Sequence, residues 1–257
     1  MKDGAEKGTT DFTRDEMLAI ERAAVHAWPA AETRDIDGWL WRYSGGGSQR
    51  ANSVSPLIFR GMDVEAAIGS VEALYFERNG PSRIQVGKEL AAPADLDWRL
   101  ELRGYRVQEP VTTLAKRVSP AAIPEDAEIS VRPSDGWMEV YLSNIKPDRR
   151  SSAPAILATV PRPCVFLSIL AGGRVVSTAL AVLHGGIVIA ECIGTRADAR
   201  RTGAASRVMA ALEAWAVDQG ASIAALQAVT ANIPAQRLYG SLGYTRVNEY
   251  HYRIRER

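Results

Sequence analysis

The stretch from Gly194 to Tyr244 constrains this chain more than any other, because it sets a basic, glycine-bearing loop directly in front of a helix. The loop reads Arg200-Arg201-Thr202-Gly203-Ala204-Ala205. In the residues behind it, Val208, Leu212 and Trp215 recur at i, i+4 and i+7, so one helical face packs inward. Side chains at 203–205 are absent or single methyl groups. A ligand can therefore approach the backbone where a helix start leaves its N–H groups unpaired and its dipole positive. Such a place suits an anion, best a phosphate or pyrophosphate. Arginines at a helix start are often simply solvated, and they oppose the dipole by roughly a few tenths of a kcal/mol unless an anion neutralises them.

Beyond this helix, Ser222–Val229 (SIAALQAV) reads as a buried strand. A second, short helix is expected over Ile233–Leu242, with Asn232 before it, Pro234 in its first turn and Gly243 just past its end. Asn232 and Tyr239 are two helical turns apart, so both can face one ligand, while Leu238 and Leu242 anchor another face.

Two further patterns complete the picture. Arg200-x-x-Gly203-x-Ala205 opening a helix resembles the acetyl-CoA pyrophosphate loop of the GNAT acetyltransferase superfamily. Asn232-x-x-Ala235-x-x-x-Tyr239-x-x-x-Gly243-Tyr244 resembles that superfamily's next motif. The first pattern alone is short and common. The second, one strand further on, makes the pair specific. Thr202 and Ala204 depart from the family pattern, which more often has a basic residue or glycine there.

The rest of the chain is read in order. Residues 1–12 look like a disordered tail with no apolar signal core. A helix is expected from Arg14 to Trp28, stopped by Pro29. Gly38–Tyr43 reads as a strand, Ser44–Ser48 as a loose glycine turn, and Arg50–Pro56 as the start of the returning strand of a hairpin. Asp63–Arg78 is a helix capped by Asp63, Arg83–Val86 a strand, Leu96–Arg103 a helix, and Arg106–Arg117 two strands or one bent one. Val118–Pro124, with two prolines and no periodicity, separates the halves. After it come a strand at Glu128–Arg132, a helix at Asp135–Ile145, a polar loop at Lys146–Ser152 and a helical turn at Ala153–Thr159. Val165–Leu170, Arg174–Leu183 and Ile187–Ile193 form an antiparallel meander across the glycine turns at 171–173 and 184–186. Val247–Arg255 is the last strand.

The order meander, helix, strand, helix, strand is that of the GNAT fold. The resemblance therefore implies an α/β (α+β) class, with a mixed, mostly antiparallel central sheet flanked by helices. An internal echo adds to it. Gly104-Tyr105 after one helix matches Gly243-Tyr244 after another, which pairs Leu100 with Tyr239 and Pro93 with Asn232. Phe59-Arg60-Gly61-Met62, ahead of the first-half helix, lacks the Arg-x-x-Gly-x-Ala pattern. Glycine after a helix is common by itself. The echo nevertheless resembles tandem-GNAT proteins with one inactive half, as does Trp39–Val54. The expected organisation is a tail (1–12), a degenerate GNAT-like half (13–118), a linker (119–124) and a catalytic half (125–257).

By that resemblance the function is transfer of an acetyl group from acetyl-CoA, as co-substrate, to a primary amine of a small molecule or peptide. The N–H groups of about Arg201–Ser206, with Arg200 or Arg201 adding charge, would hold the diphosphate, covering Thr202, Gly203, Ala204 and Ala205. Backbone at Ile193, Gly194 and Thr195 would hydrogen-bond the pantetheine arm, which requires the strands Ile187–Ile193 and Ser222–Val229 to splay apart. Asn232 and Ala235 would contribute at the cofactor, Asn232 being otherwise a plain helix cap. Tyr239 is the candidate acid for the departing thiolate, since a thiol near ~8.5 and a phenol near ~10 allow proton donation. It is otherwise a core tyrosine.

Glu191 is the candidate base. It lies in an apolar strand on the face of Ile189 and Ile193, so it should be exposed in a cleft, paired, or shifted in pKa. Pairing with an arginine is as consistent with the sequence as a catalytic role. The acceptor cleft is expected to draw on the meander, on Lys146–Thr159 and on Arg42, Arg50 and Asn52 of the first half.

Composition sets the outer limits. Lys+Arg 31 against Asp+Glu 30 leaves a net charge of +1, so no field favours nucleic acid or anionic lipid. No apolar run suggests a membrane span. Cys164 and Cys192 lie in apolar runs and are expected to be buried free thiols in a reducing, cytoplasmic setting. The histidines and cysteines have no metal-ligand spacing. A homodimer is compatible with all of this. The competing reading is a CoA-binding regulatory or scaffold protein without turnover. A P-loop is excluded because no Gly-x-x-x-x-Gly-Lys-Ser/Thr run exists.

Overall fold

The computed structural model describes residues 11–257, so most of the expected tail, residues 1–10, lies outside it. Phe12, assigned to that tail, is buried, with the Arg117 guanidinium 4.9 Å from its ring centroid. Helix α1 (Arg14–Ala27) opens on a capping box: Glu16 N donates to Thr13 Oγ1, and Thr13 N donates to Glu16 Oε2. Strands β1 (Glu32–Ile36) and β2 (Trp39–Tyr43) form an antiparallel hairpin with Glu32 opposite Tyr43.

The expected return of Arg50–Pro56 on Gly38–Tyr43 is present only as one antiparallel bridge, and the ladder partner of β2 is β1. Arg50–Asn52 is a 3₁₀ turn, and the run that follows meets β2 through the bridge Leu40–Ser55. The true partner, ETRDI, shows no buried position and so no alternation to read. The glycine turn at 44–48 folds onto Asn52, which accepts from Ser44 N and Gly46 N and donates to the carbonyls of Gly46 and Ser48.

Helix α2 (Val64–Phe76) is capped by Asp63, whose Oδ1 accepts from Ala66 N at 3.0 Å. Strand β3 (Ser82–Gly87), helix α3 (Leu96–Leu102) and strand β4 (Arg106–Arg117) complete the first half. The second half runs β5 (Ala127–Ser130), α4 (Asp135–Asn144), α5 (Pro147–Arg150), α6 (Ala153–Ala158), β6 (Cys164–Ala171), β7 (Arg174–His184) and β8 (Ile187–Thr195). It ends with α7 (Ala204–Asp218), β9 (Ile223–Val229), α8 (Ile233–Ser241) and β10 (Thr245–Arg255). The polar loop expected at 146–152 thus contains the helical turn α5.

Among the described residues the main sheet has eight strands in the order β3-β10-β4-β9-β8-β7-β6-β5. Every neighbouring pair is antiparallel except β8 and β9, which run parallel. The fold is therefore α+β with the mixed, mostly antiparallel sheet expected. Strand β4, from the first half, is inserted between β9 and β10 of the second, and β3 attaches outside β10. One sheet crosses both halves.

The period of two along the strands sorts side chains onto two cores. Phe166, Leu180, Ile189, Ala225 and Ala115 face α1, α4 and α6, where Ile20, Trp137 and Leu157 pack. Leu167, Ala181, Val188, Leu226 and Leu114 face α7, whose expected stripe Val208, Leu212 and Trp215 is buried against them. A third cluster, with Trp39, Trp41, Ile68, Val71, Tyr75 and Leu100, lies under α2 and α3.

Leu114 sits on the inserted strand at 5 % exposure, opposite Leu226 of β9 and Arg246 of β10. Leu114→Ala is expected to lower the unfolding free energy by about 2–4 kcal/mol. Urea titrations followed by tryptophan fluorescence and by far-UV circular dichroism should show the same shifted midpoint.

Candidate active site

Strands β8 and β9 are paired from Ile187/Ile223 to Ala190/Leu226, and there the ladder stops. Past that point they splay, as the resemblance implied, and a cleft of about 320 Å³ opens between them. The end of α1, the loop at 47–50, β4, the end of α4, α5 and α6, β8, β9, α8 and β10 all contribute to its lining. Both halves of the chain are therefore needed to enclose it.

Glu191 stands at the fork, at 5 % exposure. Arg50 grips it from the first half, Nη1 donating to Oε1 at 2.5 Å and Nη2 to Oε2 at 2.6 Å. The guanidinium also lies 4.9 Å from the centroid of the Trp28 ring, and Trp28 Nε1 donates to Ser48 Oγ at 2.9 Å. Burial opposes the Arg50 charge, but the facing carboxylate outweighs it and holds the pKa above the usual arginine value. Of the states open to Glu191, pairing is the one found. Its two oxygens are committed to a fork-to-fork pair. Arg42 and Asn52, expected beside Arg50, do not line the cleft: Arg42 is buried on Ser53 and Gln85, and Asn52 holds the glycine turn.

Two β-bulges shape the walls. Thr178 faces Gly194 while Leu180 faces Glu191, so β8 carries an extra residue at Cys192, whose φ is +53°. The bulge turns Cys192 toward the α1/α4 core and Ile193 toward the α7 core. Glu191 therefore does not share a face with Ile193, as straight alternation had it. The carbonyls of Cys192 and Gly194 accept from Thr178 Oγ1 and Ser177 Oγ. Asn144 packs against Gly194, where an added Cβ would lie 3.1 Å from its Nδ2.

The second bulge is in β4. Tyr250 faces Val111 while Tyr252 faces Gln108, and the extra residue is Glu109 with φ +46°. Both bulged residues line the cleft.

Tyr239 reaches the cleft from α8 at 6 % exposure, its ring 6.1 Å from that of Tyr244. Burial, with the Glu191 charge adding to it, pushes the phenol up to about 12. No group among the described residues hydrogen-bonds its hydroxyl. Asn232 is exposed at the start of α8 and caps it, Oδ1 accepting from Ala235 N at 3.3 Å. Asn232, Ala235, Ile193, Glu191 and Tyr239 all line the cleft.

Gly194, Thr195 and the loop Arg200–Ser206 do not line it; they continue from the splayed end of β8. In that loop Arg201 and Gly203 have φ of +63° and +80°, and Gly203 is the N-cap of α7. The N–H groups of Arg201 through Ser206 have no acceptor among the described residues, the first helical bond being Arg207 N to Gly203 O. Arg200, Arg201 and Thr202 are exposed, and Ala204 is buried. These free donors fit a diphosphate.

Other lining residues were not legible in the sequence: Trp28, Glu109, Tyr141, Gln227, Tyr250 and Tyr252. A glutamate and a proline breaking the strand pattern of β4 are the one available signal for Glu109. Tyr250 donates to Gln227 Oε1, and Gln227 Nε2 donates to the buried Glu21, which also accepts from Thr113 and Asn248. Burial raises the Glu21 pKa despite those three donors. Cys192 is half-buried on the cleft wall rather than buried in the core, and both cysteines are free. Burial and the neighbouring Glu191 push its thiol far up, which favours the protonated form.

Comparison with known proteins finds relatives of the whole chain and of its fold. The family model described as "Probable histone acetyltransferase Rv0428c C-terminal" matches residues 15–255. The chain is 29% identical to "Uncharacterized N-acetyltransferase YobR" of Bacillus subtilis (strain 168), over 94% of this chain and 99% of that one. A GCN5-related N-acetyltransferase from Kribbella flavida superposes with a TM-score of 0.69 at 16% identity, covering 92% of this chain and 93% of the other. A tandem GNAT protein from the clavulanic acid biosynthesis pathway gives 0.65 at 10% identity, covering 95% and 96%.

Removing either partner of the Arg50–Glu191 pair strands the other. Arg50→Ala and Glu191→Ala are each expected to lower the unfolding free energy by about 3 kcal/mol, the lower end for a buried pair because Arg50 keeps 24 % exposure. A double-mutant cycle from denaturant titrations checks it: the double variant should lose much less than the sum of the single losses.

Proposed function

The chain belongs to the family described as "Probable histone acetyltransferase Rv0428c C-terminal", and we propose that it is a GNAT-type enzyme that moves the acetyl group of acetyl-CoA to a primary amine of a small molecule or peptide by direct attack on the thioester. The observation that carries this reading is Tyr239: a phenol with an unengaged hydroxyl, in a cleft opened by splayed parallel strands, downstream of a loop of free N–H groups.

Acetyl-CoA would supply an acyl group on a good leaving thiolate. The N–H groups of Arg201–Ser206 would bind its diphosphate, with Arg200 and Arg201 adding charge from the exposed side of the turn. Backbone from Ile193 to Thr195, freed from β9 by the splay and fixed on β7 by Ser177 and Thr178, would orient the pantetheine arm. Asn232 caps α8 and so fixes the helix that carries Ala235 and Tyr239. The acceptor ammonium would lose one proton to water to free its lone pair and a second as the C–N bond forms and the C–S bond breaks; Tyr239 would donate a proton at the departing sulfur and regain one from solvent. A phenol near 12 is fully protonated at neutral pH, and the same dry surroundings raise the basicity of the thiolate that receives the proton. We assign Glu191, locked on Arg50, to holding the fork rather than to free base chemistry, and Glu191→Gln distinguishes these roles through the pH–rate profile.

The family description names a probable histone acetyltransferase; a lysine side chain is one such primary amine. We further propose that residues 13–118 are a degenerate copy of residues 125–257, working in the cytoplasm as one unit with them. Gly104 and Gly243 have φ of +83° and +84°, and Tyr105 N and Tyr244 N donate to the carbonyls of Leu100 and Tyr239, both at 3.0 Å, which supports the repeat. Among the described residues no helix is long and apolar enough to cross a membrane.

Tyr239→Phe is expected to cut kcat by about a hundredfold with acetyl-CoA affinity nearly unchanged. Gly203→Val should act oppositely. Its side chain would sit in left-handed backbone, with Cβ 3.3 Å from Arg207 Nη1, so acetyl-CoA binding should weaken by about tenfold or more. Steady-state kinetics with an amine panel and calorimetry with acetyl-CoA measure both.

A further inference from the structure

We propose that Glu109 is the acceptor-binding carboxylate of the cleft: it holds the cationic head of an alkylammonium acceptor and so selects protonated amines over neutral molecules of the same shape. This rests on the amine acetyltransferase reading above and names the residue that recognises the amine.

Charge balance comes first. Four charged side chains line the cleft: Arg50, Glu109, Arg149 and Glu191. Arg50 and Glu191 cancel in their bidentate pair. Glu109 has no Lys, Arg or His within salt-bridge distance among the described residues, and its one polar partner is the neutral Gln49 amide, Nε2 donating to Oε2 at 3.2 Å. A half-buried carboxylate left with a single neutral donor keeps lone pairs for an incoming N–H. Arg149 also lacks a carboxylate partner, so the cleft admits acceptors that carry an anion elsewhere; the amine end is what Glu109 reads.

The backbone points the same way. Glu109 is the extra residue of the β4 bulge, at φ +46°, where a glycine or asparagine would sit with less strain. The bulge interrupts the pairing with β10 between Tyr250 and Tyr252, and both tyrosines, with Trp28, supply aromatic surface to the same cleft. Glu109 comes from the first half and the proposed proton donor, Tyr239, from the second, so acceptor and cofactor would be held by opposite halves.

The test is calorimetric titration of the full chain, saturated with CoA, with phenethylamine, tyramine and butane-1,4-diamine, each beside the alcohol of the same skeleton. Wild type should bind the amines more tightly than the alcohols. Glu109→Gln should raise the amine Kd by about tenfold or more, leave the alcohol Kd and CoA affinity unchanged, and shift the thermal midpoint by less than about 3 °C. Glu109→Gly, which removes the left-handed strain together with the carboxylate, should show the same loss. A wild type with no amine preference, or a preference that survives both variants, overturns the proposal. Glu109-dependent amine binding without acetylated product would overturn the transfer reading alone. Transfer with an undiminished kcat/KM for amines in both variants would overturn the role of Glu109 alone.

Discussion

Everything in this molecule depends on two parallel strands parting company. β8 and β9 share a ladder up to Ala190 and Leu226 and then diverge. Divergence inside a sheet exposes backbone polar groups that would otherwise satisfy each other, and buried groups of that kind must find partners. On one side the hydroxyls of Ser177 and Thr178 take the carbonyls of Gly194 and Cys192. At the crotch an ion pair, Arg50–Glu191, fills what would be a polar void. What remains open is sized and lined for a ligand with both polar and apolar parts. The fork thus creates the site, and the surrounding structure keeps the fork from closing.

The ion pair ties the two halves at the place where chemistry is proposed. A buried pair of this sort contributes little net stability beyond what apolar packing would give, yet is expensive to break. Its value lies in position. Arg50 is held over Trp28 and emerges from a turn anchored by Asn52, so the first half sets the geometry of a glutamate on the central strand of the second. The cation–π contact and the bidentate fork together leave the guanidinium few alternative orientations.

How much of this could be read from the sequence follows from the range of the interactions. Helix starts were legible because their signals are local: Asp63 and Asn232 cap the helices they precede, and the stripe of Val208, Leu212 and Trp215 is buried on α7. The meander was legible from glycine turns between apolar runs. Pairing was not. β1 exposes most of its residues and shows no alternation, so the ladder partner of β2 was missed while the segment expected there contributes one bridge. The bulges at Cys192 and Glu109 leave no reliable trace, and the first of them reversed the face of Ile193. Arg50 meets Glu191 across 141 residues of chain, a contact that no local pattern encodes. The cleft was half visible for the same reason: its motif residues lie close together in sequence, whereas Glu109, Tyr250 and Trp28 arrive by tertiary packing.

The strand order has one further consequence, for how the chain is assembled as it leaves the ribosome. β3 and β4 belong to the first half but are not neighbours; β10, made of residues 245–255, lies between them. A nascent chain that has emerged through residue 240 can form its hairpin and helices, but the seam that joins β3 to the rest of the sheet does not yet exist. Closure is therefore reserved for β10, which is synthesised after every other strand of this sheet. Until then the outer flank of β4 is an open strand edge with unpaired backbone groups, a surface prone to wrong pairing.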